Sequence, residues 1–334
     1  MKDLFILIGC DCDHDRKRFN YNVNNKKMLW DGYLNIMDYF NNLRNQIYNY
    51  TGFKPVITLN IRADNQIKYY YGRYDYCFNL LENNQLNQLG KEDEIAWHHH
   101  QYKLKQGEWI QELDDEFLKN NIINAYEEIQ HYNINTIHSG WCFQNTTTIN
   151  TYNDIGIKID YSAVPGMKID LKKYVDYSRV VPNNIYIPNR NDHQKADNTN
   201  INKIVEIPVT TINAGYMNKM VMLGTFIRQR RINPSMLQNK KTYLQCTINP
   251  LIYKRFLRKL FLEYPDIDYI ATYFHPDEVL PDKLKSESCK RLYRSNYMIK
   301  NIIQLIKYSI SNGRRPRFIN FFNYYNKIKS NLSD

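Results

Sequence analysis

The chain reads as an α/β fold of the barrel kind, on three observations. Short apolar runs alternate with longer amphipathic segments, the rhythm of parallel strands joined by crossover helices. Polar residues gather just after the strand-like runs, where α/β barrels place their sites. A length of 334 residues, 43% of them hydrophobic, suits one α/β barrel with a sizeable core.

Taken in order, LFILIGCD (4–11) is a buried strand whose polar residues begin at its C-terminal end. Trp30 to Tyr50 sets Leu34, Met37, Tyr39, Phe40, Leu43 and Ile47 at helical spacing. KPVITLNI, opened by Pro55, is a second strand. Leu80–Leu89 is expected as a helix stopped at Gly90, Glu94–His98 as a short strand, Asp114–His131 as a helix and Ile157–Tyr161 as a strand after Gly156. Lys203–Thr211 is strand-like, and Pro250–Tyr264 is a basic amphipathic helix. Tyr269–Phe274 is a strand ending at His275. Tyr297–Ser311 is the last long helix, stopped at Gly313 and Pro316, with a strand-like Arg317–Phe322 beyond. PNRNDHQKADNTNIN (188–202) has no apolar run and is expected as a mobile polar surface loop or insertion without catalytic role. No repeat or domain boundary is visible, so residues 1–334 read as one domain.

A formal charge of +11 invites a nucleic-acid or membrane reading. The distribution argues against it. The densest basic groups, Arg228–Arg231, Lys254–Lys259 and Arg314–Arg317, are short, and no zinc-finger, RNP-type or basic-arm pattern accompanies them. Neither a nucleic-acid partner nor a membrane span is expected, since no apolar stretch approaches the ~20 residues a bilayer requires. Six dispersed cysteines without a CxxC pair fit reduced thiols in a cytoplasmic protein. Leu7-Ile8-Gly9-Cys10 imitates a lipid-attachment box, but its apolar run is much shorter than the ~7–15 residues of a signal-peptide core.

Three constellations carry possible chemistry. In GCDCDHDR (9–16), Asp11 and Asp13 share a strand face, and two close carboxylates repel unless a cation or shared proton intervenes. The alternative is a polar loop whose aspartates cap a turn. In EIAWHHHQYK (94–103), strand alternation puts His98 and His100 on one face and His99 on the other. Two neutral imidazoles and a carboxylate such as Asp13 form a facial set for a divalent cation, with positions left open for water and substrate. An exposed polar turn is the competing reading. In YFHPDEVL (273–280), His275 sits where a strand ends and the chain turns at Pro276, as a catalyst or as a structural hydrogen-bonder. Arg62 suits a substrate oxygen, or an ion pair with Asp64. Trp141, beside His138 in HSGWCFQN, suits a sugar face or plain core packing.

The order of these segments resembles the polysaccharide deacetylases, more narrowly the NodB-homology proteins similar to carbohydrate esterase family 4. The likeness runs from Phe5 to about Phe322 through the acidic pair, EIAWHHH, the GW pair followed by GIKIDYSAVPG, and FHPDEVL. It implies a distorted (β/α)7 barrel of the deacetylase and glycoside hydrolase type. The implied activity removes an N- or O-acetyl group from an acetylated amino sugar or glycan precursor, with one divalent cation, usually zinc. By that resemblance Asp11 is the general base, Asp13 and His98 are metal ligands, and His275 is the general acid. Arg62, Asp64, His138 and Trp141 are expected around the substrate. The sequence departs from the family where Cys12 separates the acids and where Tyr102 stands four residues after His98, which moves the second histidine ligand to His100. The family's base-steadying arginine falls near His138. A catalytically degenerate glycan-binding barrel is the alternative.

Overall fold

The computed structural model describes residues 1–15, 28–170, 174–197, 202–213 and 241–331; the basic group Arg228–Arg231 lies outside them. Eight parallel strands form one curled sheet: β1 (Lys2–Cys12), β2 (Thr58–Arg62), β3 (Glu94–His98), β4 (Thr136–Ile137), β5 (Ile159–Asp160), β6 (Val205–Glu206), β7 (Tyr269–Phe274) and β8 (Arg314–Phe318). Seven follow one another in the order β6-β5-β4-β3-β2-β1-β7, and β8 lies beside the first half of β1. Past β6 the chain returns to β7, where the Thr210 amide donates to the Ala271 carbonyl at 2.9 Å and the Ala271 amide to Thr210 Oγ1 at 2.9 Å. The α/β barrel expected from sequence is therefore the fold.

Strand alternation sorts the residues. Leu4, Ile6, Ile8, Cys10 and Cys12 of β1 pack outward into the core shared with the helices, while Leu7 joins the inner cluster with Tyr161, Tyr269, Ala271 and Tyr273. Asp11 shares the Leu7 parity and so faces inward. The same rule turns Asn60 and Arg62 of β2, and His98 of β3, toward it. Gly9 is needed here for space: a Cβ would stand 2.3 Å from the Tyr161 hydroxyl.

Glu94–His98, Tyr269–Phe274 and Tyr297–Ser311 occupy the spans expected from their periodicity. Elsewhere the boundaries moved for identifiable reasons. The helix expected over Trp30–Tyr50 is broken at Asn35 into Asp31–Leu34 and Ile36–Thr51. Buried Gln85 serves that break, accepting from the Met37 amide at 3.1 Å and donating to the Tyr33 carbonyl at 2.7 Å. That inward duty ends the helix Tyr76–Asn84 before Leu89. Pro316 lies inside β8 rather than before a strand; β8 is an edge strand paired only to β1 among the described residues, which tolerates a residue without an N–H. Phe321 and Phe322 open a helix, Phe321–Ile328, capped by Asn320, instead of ending a strand. Within 188–202 the described residues form a small hairpin, Pro188–Asn189 against Asp192–Ala196, with Gln194 buried. All six cysteines are buried, and no helix among the described residues is long and apolar enough to cross a membrane.

One half-buried carboxylate ties the N-terminal end of the barrel together. Glu94 Oε2 accepts from Thr58 Oγ1 at 2.9 Å and from the amides of Phe321 and Phe322 at 3.0 and 3.3 Å, while Oε1 accepts from Thr136. It thereby joins β2, β3, β4 and the start of the C-terminal helix, whose dipole favours a negative group there. Removing it leaves several buried donors unsatisfied at once. Glu94→Ala is expected to lower unfolding stability by about 2 kcal/mol or more, read as a lower urea midpoint at unchanged slope.

Candidate metal and active site

The inward residues converge at the C-terminal end of the strands. Asp11, still in β1, and Asp13, just beyond it, are linked by the Asp13 amide donating to the Asp11 carbonyl at 2.7 Å. His98 is the last residue of β3, in register with Arg62 of β2. His100 follows the strand end, His138 follows β4, and His275 follows β7. Residues far apart in the chain thus meet at one mouth.

Asp13 Oδ1 lies 3.1 Å from His100 Nε2, and Asp13 Oδ2 lies 3.8 Å from His98 Nε2. The two imidazoles stand edge-on, 4.8 Å between centroids at 90°. All three histidines of the run are buried, so the exposed-turn reading fails. His99 points elsewhere, its Nδ1 2.9 Å from the Tyr152 hydroxyl. His98 Nδ1 is 2.6 Å from the His138 carbonyl, which can only accept, so Nδ1 carries a proton, and in the neutral ring Nε2 keeps its lone pair. That Nε2 is buried and has no hydrogen-bond partner.

Two groups have the spacing of cation ligands, their donor atoms within 4.8 Å of one another: Asp13 with His98 and His100, and Asp11 with His98 and His138. The tautomer separates them. Toward Asp11 the nearer His98 atom is Nδ1, at 3.9 Å, already committed to the carbonyl. Toward Asp13 it is the orphaned Nε2. Ligand atoms at ~2.1 Å from a tetrahedral ion stand roughly 3.4 Å apart, and 3.1 and 3.8 Å bracket that spacing. Buried Asp and His groups that could hold a divalent cation are therefore present, and Asp13, His98 and His100 fit it best.

The surroundings set the electrostatics. Burial alone would raise the Asp11 carboxyl, but the His138 and His98 rings hold it down at about 2. Asp13, raised by burial, is driven well below the usual carboxylate range by His100 and His98. Burial pushes His100 down to about 4 against the pull of Asp13. On His98, Asp11 and Asp13 outweigh burial and the ring is raised. Asp11 Oδ1 accepts from Asn60 Nδ2 at 2.8 Å and lies 3.0 Å from His138 Nδ1. His275 Nε2 stands 3.8 Å from Asp11 Oδ2 and 3.9 Å from Asp13 Oδ2.

Arg62 and Asp64 are brought to the site but face each other. Arg62 Nε bonds Asp64 Oδ2 at 2.7 Å, Nη2 binds Gln66, and Nη1 lies 2.9 Å from His14 Nδ1 and 3.5 Å from Asp13 Oδ1. Asp64 also caps the helix Asn65–Tyr71. Both are buried, so the ion-pair alternative describes them, and their donors and acceptors are spent on protein. His138 is buried behind Asp11. Trp141 is 37% exposed at the mouth, with its ring 6.3 Å from Tyr102.

Sequence reasoning missed four supporting residues. Asn60 holds Asp11, and its polar side chain inside an apolar strand was a usable signal. Tyr102 stacks on His100, 4.7 Å at 9°. Buried Glu278 sets Oε1 3.3 Å from His275 Nδ1, while its Oε2 accepts from Thr247 at 2.6 Å and Gln245 at 3.1 Å. Gly140 backs the His100 ring: a Cβ there would stand 2.1 Å from His100 Nδ1.

No protein-family model matches the sequence, and no curated protein matches it. Solved structures similar to this chain include the following two. One is a "putative polysaccharide deacetylase" from Mycobacterium smegmatis, 12% identical over 99% of this chain and 91% of that one, TM-score 0.48. The other is a GH57-type branching enzyme from the archaeon Pyrococcus horikoshii, 10% identical over 98% of this chain and 70% of that one, TM-score 0.43.

The closeness of Gly140 to His100 yields a test that touches no ligand directly. Gly140→Ala is expected to push the ring off Asp13 and to weaken the binding of any divalent cation held by Asp13, His98 and His100 by about 10–100-fold in a chelator competition, the range for disturbing a ligand's support. Far-UV circular dichroism should stay unchanged.

Proposed function

We propose that the protein is a metal-dependent carbohydrate deacetylase, with zinc as the cation and an N-acetylated sugar or glycan precursor as substrate. The observation that carries the reading is the convergence of Asp13, His98 and His100, with an orphaned imidazole nitrogen between them and with Asp11 and His275 alongside. The ordered motifs in the sequence support the same reading. Free, buried cysteines fit a reducing, cytoplasmic site of action.

A divalent cation held by Asp13, His98 and His100 supplies Lewis acidity, which makes water nucleophilic near neutral pH and favours negative charge on a carbonyl oxygen. The protein's own groups do the rest. Asn60 occupies Asp11 Oδ1, so Oδ2 is the atom placed to take the proton of the attacking water. Asp11 is ionised and ready for that role. His275 Nε2, on the same side, gives a proton to the departing sugar nitrogen, which otherwise leaves poorly. Glu278 faces the opposite ring nitrogen at 3.3 Å. Acetate and a free amino sugar result. Trp141 at the mouth offers its face to the sugar. Arg62 acts on Asp13 rather than on substrate, and His138 steadies Asp11.

The decisive experiment is elemental analysis of the purified protein beside a His98→Ala, His100→Ala double variant, with acetate release from N-acetylated sugars measured on both. About one zinc per chain and measurable turnover are expected in the first, and loss of both in the second. Equal metal in the two proteins would sink the assignment. Metal-free protein that still binds glycan would leave the non-catalytic barrel. Asp11→Asn should keep its zinc and lose about 10²–10⁴-fold in kcat, since it removes only the proton acceptor.

A further inference from the structure

Two further buried acids take no part in the chemistry above. Asp160 ends β5 and Glu206 ends β6, and the two are direct partners in the parallel register. Partners on neighbouring strands point to the same face, and these two carboxyls are hydrogen-bonded to each other. They are 0 and 1% exposed, and among the described residues no lysine or arginine pairs with either. The donors around them are unevenly shared. Asp160 Oδ1 accepts from the Ser162 amide at 2.9 Å and from the Ser162 hydroxyl. Glu206 Oε1 accepts from the Ala163 amide at 3.0 Å. Asp160 Oδ2 is buried and reached by no amide, hydroxyl or cation.

We infer that Asp160 and Glu206 hold a single proton between them at neutral pH, and that this proton locks the turn that sets Gly140 against His100. Two carboxylates in contact inside a barrel repel unless a cation or a proton lies between them. The donor pattern says where the proton sits. Asp160, with two donors, is the better anion, so Glu206 carries the hydrogen and gives it to Asp160 Oδ2. Burial and the Asp160 charge push the Glu206 carboxyl well above its usual range. The other titratable groups facing the pair are His138, Cys142, Tyr152, Tyr177, Tyr186 and Tyr269. Burial raises the Cys142 thiol and the four phenols, so they stay neutral, and His138 Nδ1 is turned to Asp11 at 3.0 Å. None of them replaces the proton. The lock runs outward through hydrogen bonds. Asp160 fixes Ser162, Ser162 Oγ accepts from the Ser139 amide at 2.7 Å, and Gly140, the next residue, packs on the His100 ring. When the proton leaves, two buried anions face each other and the hold on Ser162 fails. The inference needs neither the metal nor the sugar of the proposed function.

The test compares the full protein with Glu206→Gln, whose amide gives Asp160 Oδ2 a permanent N–H and keeps an oxygen for Ala163. Asp160→Asn is the mirror replacement and guards against one variant's failing to fold. Infrared difference spectra at neutral pH, unaltered protein minus variant, should show one protonated carboxyl. A carboxyl raised in the folded state favours folding below its unfolded value and loses that contribution as pH rises through the folded one. From about pH 6 upward, the unfolding constant of the unaltered protein should therefore grow up to about tenfold more per pH unit than that of either variant, by urea titration. No carboxyl signal in the difference spectra, or equal slopes in all three proteins, overturns the shared proton. The lock is read by deuterium exchange at the Ser139 amide. Protection should be kept in Glu206→Gln and fall about tenfold or more in Glu206→Leu, which fills the space but offers Asp160 no hydrogen. If Glu206→Leu does not fold, the same loss is read in the unaltered protein above the pH where the slopes converge. Unchanged Ser139 protection overturns the lock.

Discussion

Two carboxylates two residues apart cannot be withdrawn from water at the mouth of a barrel unless positive charge is brought to them, and the site is organised around that demand. Among the described residues the nearest permanent cation is Arg62, at 3.5 Å from Asp13, but Asp64 claims it more closely, at 2.7 Å. Asp11, Asp13 and Asp64 share that one guanidinium among the described residues, and the His138 and His98 rings stand against Asp11. The imidazoles do not all answer this. His100 is the histidine nearest Asp13 and is held neutral by burial, at about 4. A divalent cation would let His98 and His100 serve as neutral ligands beside Asp13.

Strand parity delivers these groups. On β1 one face supplies the apolar packing against the helices, and the other carries Leu7, Gly9 and Asp11 inward. β2 contributes Thr58, Asn60 and Arg62 on its inward face, and β3 contributes Glu94, Ala96 and His98. The same faces therefore hold the Glu94 knot at one end and the acidic cluster at the other. A one-residue slip of β3 against β2 would turn His98 outward and break both ends together, so the two polar clusters fix the register that the apolar residues alone leave to packing. The short β4 matters for a different reason. Its exit places the His138 carbonyl on His98 Nδ1, and a backbone atom thereby selects which ring nitrogen stays bare.

How legible this was in the sequence follows from where the information lies. Glu94–His98, Tyr269–Phe274 and Tyr297–Ser311 were readable because apolar periodicity and end signals agreed within each segment. Asp11, Asp13, His98 and His100 could be named because strand alternation is local. Their meeting could not be read from periodicity, since Asp13 and His100 are 87 residues apart and no local rule sets the curl of the sheet. The failures were tertiary. Gln85 stopped a helix to serve a break elsewhere, Pro316 was admitted to a strand because that strand is an edge, and Arg62 turned to Asp64 and Asp13. Glu278 carries no periodic signal at all; its relation to His275 exists only once the chain has turned at Pro276.

The loop after β4 shows how closely the His100 and Trp141 sides of the barrel mouth are coupled. Gly140 must approach the His100 ring where no Cβ fits, and the chain must then turn at once. It does so through two successive non-glycine residues in the left-handed region, Trp141 at φ 62° and Cys142 at φ 57°. Such positions cost about 1–3 kcal/mol each and persist only where neighbours over-determine them. Here the neighbours are explicit: the Ser139 amide donates to Ser162 Oγ at 2.7 Å before the turn, and Cys142 Sγ sits 3.4 Å from the Tyr273 hydroxyl after it. A glycine in place of Trp141 would relieve the backbone but remove the ring at the mouth. The strain is thus the consequence of asking three consecutive residues to back the His100 ring, present an aromatic face and anchor to the barrel wall.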